Sequence, residues 1–265
     1  MKKLASFPAA GFAAGLAAGL AAGLAAGLLA GLLLAACGTR PKGTGPDSTA
    51  SPGGDYFAGF WPVGTPESAQ SIQDQVDAGR QPWRLDPRSV AARFAEEFVG
   101  WRRVDLLGSD LEGSAAAGWR AAVLFRPYTG EEHNLRPGTR HTLGLVGLKG
   151  AARPAWFVSS LGSEHILVES PRGGDPISSP LLVSGRGIGF EATISVKIAD
   201  DGGRALHPQP GILMGGATEV APFSGSLEFD RPAESAGILI LTGSQGAEGP
   251  VPDQTIVRVR FWKAG

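Results

Sequence analysis

Phe190-Glu191-Ala192-Thr193-Ile194-Ser195-Val196-Lys197-Ile198 alternates apolar and polar residues without a break. Phe190, Ala192, Ile194, Val196 and Ile198 share one side, and Glu191, Thr193, Ser195 and Lys197 share the other. That period of two predicts a strand with one buried and one wet face, the signature of an antiparallel sheet. Asp200-Asp201-Gly202-Gly203 follows and predicts the turn that ends it. Upstream stands Gly185-Arg186-Gly187-Ile188-Gly189. A phosphate-binding loop requires a helix N-terminus next, whereas this one leads into the strongest strand of the chain. It therefore predicts a tight turn or bulge.

Working outward, the same alternation recurs. Phe223, Leu227 and Phe229 interleave with Ser224, Ser226, Glu228 and Asp230, and Val257, Val259 and Phe261 with Arg258, Arg260 and Trp262. Ile238–Leu241 is a continuous apolar run, as a central strand requires. Ile166–Val168, Leu181–Ser184 and a weaker Gly211–Met214 bring the total to about seven short strands separated by turn signals. That number fits an immunoglobulin-like sandwich over residues 165–264.

The stretch Glu169–Gly203, ESPRGGDPISSPLLVSGRGIGFEATISVKIADDGG, resembles the immunoglobulin-like domain of bacterial spore germination proteins. Ser179-Pro180-Leu181 opens a strand, Val183-Ser184-Gly185 closes it, Phe190-Glu191-Ala192 starts the long strand, and Asp200–Gly203 turns it. Pro222-Phe223 with Leu227-Glu228-Phe229, and Val257–Phe261, fit the family's later strands. The sequence departs from the family at Thr242–Pro250, TGSQGAEGP, where an acidic Asp-Gly-Ser-like hairpin is usual. The resemblance implies an extracytoplasmic binding or spacing module, with a link to sporulation or germination and no catalytic residues to carry over.

Residues 55–161 predict a small α+β domain. Pro66–Ala78 reads as a short helix stopped at Gly79. Asp86 is a natural N-cap, Pro87 suits the first helical position, and Gly100 supplies a stop. Between them Val90, Phe94 and Phe98 recur at helical spacing. Trp119, Ala121, Val123 and Phe125 then alternate with Arg120, Ala122, Leu124 and Arg126. Thr142–Leu148 and Trp156–Ser160 are two further strands. The expected fold class is therefore two domains, a small α+β domain followed by an all-β immunoglobulin-like sandwich.

At the other end, Lys2 and Lys3 precede a long apolar run that closes on Leu34-Ala35-Ala36-Cys37. Charged residues, an apolar stretch, small residues and then a cysteine resemble the signal of bacterial lipoproteins. The resemblance implies a signal peptide over residues 1–36, cleavage before Cys37, and a diacylated Cys37 that holds the chain on the extracytoplasmic face of the cell membrane. Two acyl chains satisfy the two-signal requirement for stable attachment. The Gly-x-x-x ladder of Gly11–Gly31 admits a second reading, an uncleaved and self-associating membrane helix. Residues 37–54 comprise the lipidated cysteine and a tether rich in Gly, Pro, Ser and Thr, with no hydrophobic period.

The formal net charge of −1 offers no basic footprint for nucleic acid. With Cys37, the single cysteine, lipidated, no thiol or disulfide chemistry is available. His133, His141, His165 and His207 show no metal-ligand spacing and read as loop or strand-edge residues. Glu96 and Glu97 are neighbours on a helix and do not face each other. Asp200-Asp201 without further oxygen ligands reads as a turn. No Gly-x-Ser-x-Gly elbow is present. No catalytic, metal or cofactor-binding residue is therefore assigned, and the chain is expected not to be an enzyme. Trp61, Trp83, Trp101, Trp119 and Trp156 admit two readings, core side chains or an aromatic pocket for a small ligand. Arg93 with Arg102-Arg103 reads as a solvated face or a contact for phosphate or anionic lipid. The expected function is binding or scaffolding in the envelope, against a protein or wall polymer. A ligand-binding lipoprotein using the tryptophan pocket is the alternative.

Overall fold

The computed structural model describes residues 56–129, 135–243 and 253–262. The leader, Cys37, the tether, residue 55, His133, residues 244–252 and the C-terminal three residues lie outside that range.

Two helices come first. Helix α1 spans Pro66–Asp77 and opens on Thr65, whose hydroxyl accepts the Ser68 N–H at 3.3 Å. Ala69, Gln73 and Val76 form its buried stripe. Gln73 is satisfied there: its amide donates to the Arg153 carbonyl at 3.1 Å and its carbonyl accepts the Ala155 N–H at 2.8 Å. Helix α2, Pro87–Phe94, is capped by Asp86, which accepts the N–H groups of Arg88 and Ser89 at 3.1 Å each. A π-turn over Ala95–Val99 continues it, and Gly100, at φ 82°, ends it. Val90, Ala91 and Phe94 are buried, while Phe98 remains 40 % exposed and stacks on Phe94.

Antiparallel strands follow: β1 (Val104–Ser114), β2 (Gly118–Thr129), the two-residue β3 (Arg136–Pro137), β4 (His141–Gly147) and β5 (Trp156–Ser163). Ala121, Val123, Phe125, Leu143 and Leu145 point to the face covered by α2, in one core with Trp61, Trp101 and Trp156. Among the described residues β1 is an edge strand paired only with β2, and it escapes sequence prediction because its burial does not alternate.

The later strands are β6 (Ile166–Ser170), β7 (Pro176–Ile177), β8 (Leu181–Gly187), β9 (Thr193–Asp200), β10 (Gly211–Met214), β11 (Ala221–Leu227), β12 (Ala236–Gly243) and β13 (Asp253–Phe261). β11-β8-β6 form one sheet. It packs on β13-β12-β9-β10 through Val183, Ile194, Val196, Ile198, Phe223, Leu239, Leu241, Val259 and Phe261. This is the expected sandwich of short antiparallel strands.

Two expectations are corrected, and a third, the division into two domains, is not confirmed. The long strand starts at Thr193, not Phe190: Phe190–Ala192 is a 3₁₀ turn with Glu191 and Ala192 at positive φ and Phe190 half-exposed. Alternation alone cannot distinguish such a turn from one more strand residue. Gly185 and Gly187 form no turn, because β8 runs through both. Their role is close approach, since a Cβ on Gly185 would stand 2.1 Å from the Leu167 carbonyl oxygen of β6.

Nor does the division into residues 55–161 and 165–264 appear as two separate domains. β5 pairs with β13 at Leu161↔Ile256 and Ser160↔Val257, so one sheet runs β1-β2-β4-β5-β13-β12-β9-β10. Ile238 and Ile256 join the same core as Trp61 and Phe94. The described residues fall in one compact unit.

Candidate functional site

On the face of the sheet opposite α2, the side chains become small. The cross-strand register sets Asp110, Ala122, Gly144, Ser160 and Val257 in one row. With no bulk at Ala122, Gly144 and Ser160, a groove of about 710 Å³ opens there. Its walls carry Asp110, Glu112 and Arg120 at one side and Tyr56, Gly173 and Gly174 at the other. Two shallower depressions continue it past Thr142 and Gly162 to Leu167. The lining is apolar at Val146 and hydrogen-bonding at Ser159 and Ser160. Such a surface accepts an extended chain more readily than a compact ligand.

The end of the groove is held by Arg258 of β13. The alternation of this strand predicts a wet position, yet Arg258 is 2 % exposed. Segment 56–64 covers it. Its guanidinium makes a bidentate ion pair with Asp201, with Nη2 donating to Oδ2 at 2.7 Å and Nη1 to Oδ1. It also donates to the carbonyls of Phe57, Gly64 and Gly237 at 3.0–3.3 Å. A buried charge persists only with this degree of pairing. Gly64 is required for the fit, because a Cβ there would lie 2.6 Å from the Asp201 carboxyl carbon. Tyr56 stacks near Arg258 and Arg260, and Arg260 Nε donates to the Gly174 carbonyl at 2.7 Å. Burial raises the Tyr56 phenol above its usual value, and the two arginines oppose that rise.

A second polar cluster sits where β4, β6 and β13 meet. His165 Nδ1 lies 2.8 Å from Asp253 Oδ2 and 3.1 Å from the Thr139 hydroxyl. His141 Nδ1 lies 3.0 Å from the Thr139 carbonyl, so in the neutral ring that nitrogen is the donor. Its Nε2 is buried without a hydrogen bond, 3.9 Å from Asp253 Oδ1. Burial pushes the His141 imidazole below its usual value, and the Asp253 charge opposes this. The Ser163 hydroxyl accepts the His165 main-chain N–H at 3.0 Å, so this contact does not couple a nucleophile to the imidazole ring.

The sequence-predicted residues are placed as follows. Trp61, Trp101 and Trp156 are buried in the core beneath α2, and Trp83 and Trp119 pack against it, Trp119 with its indole N–H on the Ala151 carbonyl at 2.9 Å. None of the five lines the groove. His141 is a buried core residue and not a loop or edge residue. His207 Nε2 accepts the Ile198 N–H at 3.0 Å. Asp200 and Asp201 are used by the turn and by Arg258: Asp200 accepts the Arg204 N–H at 3.0 Å. Among the described residues, no group of three His, Cys, Asp or Glu side chains is placed to hold a metal ion. Among them, too, no helix is long and apolar enough to cross a membrane. The groove itself was missed, because a run of small residues on the wet face of strands carries no sequence signal.

Residues 165–246 match the family described as the immunoglobulin-like domain of bacterial spore germination. The match spans β6 to β12 and stops short of β13, the strand that ties the sandwich to the helix-bearing sheet. No curated protein and no solved structure matches the chain.

Proposed function

We propose that this chain is a non-enzymatic lipoprotein of the bacterial envelope, lipidated at Cys37 on the extracytoplasmic face. Its folded unit binds an extended segment of another envelope component, protein or wall polymer, in the groove across β2, β4 and β5. The family match over residues 165–246 carries this reading and links it to germination. The Leu34-Ala35-Ala36-Cys37 motif supports the anchor. The alternative, a small-ligand pocket built on the tryptophans, is disfavoured by their packing in the core.

The test is photo-crosslinking in intact cells from position 112, where Glu112 is exposed on the groove wall. A truncation after residue 164 would strip β12 and β13 from the shared sheet, so a single substitution is the control. Ala122→Phe fills the groove instead. Specific envelope partners captured by the native protein and lost with Ala122→Phe are the expected result. Identical capture in both would exclude the groove. Release of a Cys37→Ser chain from the membrane checks the anchor independently.

A further inference from the structure

We propose that the corner formed by α2, its π-turn and the 3₁₀ turn before it, Pro82–Leu85, docks on an anionic phospholipid surface. This rests on the reading of the chain as membrane-anchored and goes beyond it by orienting the folded unit.

Charge is segregated along the chain. Residues 80–103 hold six arginines against three acids, although the whole protein has a net charge of −1. Two of the three acids are engaged: Asp86 caps α2, and Glu97 pairs with Arg93 at 3.1 Å. Arg84 makes no ion pair, although the Glu97 charge acts on it. It is buried, its Nε donates to the neutral Gln81 side chain at 2.8 Å, and its Nη1 has no hydrogen bond. Burial lowers its pKa to about 10, which still leaves it protonated at neutral pH. The Trp83 ring carries both Arg84, at 4.2 Å, and Arg93, at 4.4 Å. Arg102 and Arg103 are exposed just beyond Gly100. The exposed guanidiniums of Arg93, Arg102 and Arg103 are the ones that reach an anion outside the fold.

The apolar part of the corner points to lipid as the source of that anion. Exposed Phe98 stacks on Phe94 at 5.1 Å and meets Phe60 edge-on at 5.7 Å. Phe94 touches Trp61, over which Arg84 stands at 5.9 Å. Phenyl and guanidinium groups thus form one continuous surface. At a bilayer, the ring enters the boundary of the acyl region while the cations meet phosphates. Free phosphate engages the cations and leaves Phe98 in water. Anchoring at Cys37 through residues 38–54, about 60 Å at full extension, keeps the start of the folded unit near the bilayer, so a weak attraction suffices.

The experiment places the full chain in vesicles of phosphatidylcholine alone or with about 30 % phosphatidylglycerol, and follows hydrogen exchange over residues 80–103. Flotation with the neutral vesicles reads the anchor, whatever the corner does. If the anchor fails, salt-sensitive flotation with the anionic vesicles alone still supports docking. Exchange over residues 93–103 is expected to slow by about tenfold on the anionic vesicles and to recover at roughly 0.5 M salt. The combination Arg93→Gln, Phe98→Ser and Arg102→Gln is expected to abolish that protection. Glu97→Gln, which removes an acid from the corner, should strengthen it. Unchanged exchange in β9 and β12 checks that each variant is folded. Equal exchange on both vesicles, or protection that survives the triple variant, overturns the proposal. Protection reproduced by inorganic phosphate on neutral vesicles also overturns it and leaves a small-anion site.

Discussion

At the scale of single residues, the chain buries an arginine where its own alternation predicts water, and a histidine that reads as a loop or strand-edge residue. Arg258 is a wet-face position by sequence, yet segment 56–64 covers it and Asp201 neutralises it. His141 lies in the core beside Trp101, with ring centres 4.6 Å apart. Its imidazole is held below its usual value, so the unfolded chain binds that proton more readily. Stability at this site is therefore present above the unfolded pKa of about 6.5 and is lost as pH falls through it. Urea midpoints measured from neutral pH down to about pH 5 should fall more steeply for the native chain than for His141→Phe. Parallel curves would assign the acid sensitivity to other groups. Neither residue was legible as special, because a side chain's burial depends on which distant segment covers it.

At the scale of elements, local signals worked where caps and punctuation act on the nearest residues. Asp86-Pro87 and Gly100 bound the helical segment as read, and Gly79 follows α1. The strands with alternating burial, β2, β4 and β9, were also legible in the sequence. β1 was not, since an edge strand facing solvent needs no apolar period. Gly185 was misread for a related reason: its requirement comes from β6, a neighbour across the sheet. Gly185→Ala should destabilise the fold by about 1–3 kcal/mol, because the new methyl meets backbone and the Phe223 ring at 2.7 Å. Chemical unfolding checks this. A variant as stable as the native chain would mean that β6 and β8 can separate without cost.

At the scale of the whole molecule, the sheet that crosses from β5 to β13 makes the two halves one folding unit. Urea unfolding followed by tryptophan fluorescence, which reports mainly the helix-bearing half, should coincide with unfolding followed by far-ultraviolet circular dichroism. Leu239→Ala, in the sandwich core, should lower stability by about 2–5 kcal/mol and shift both probes together. Two separated transitions would restore independent domains.

By itself the sequence determined what depends on near neighbours in the chain. Those features are the helices and their caps, the strands with one buried face, and the sandwich motif carried by the order of turns and strands over residues 165–246. Tertiary structure alone decided the joining of the two halves through two residue pairs, the burial of Arg258 and His141, and the groove over Ala122, Gly144 and Ser160. The physical reason is the range of the interactions. Periodicity and capping act within a few residues, whereas β5 and β13 are separated by nearly a hundred residues in the chain and meet only when the sheet closes.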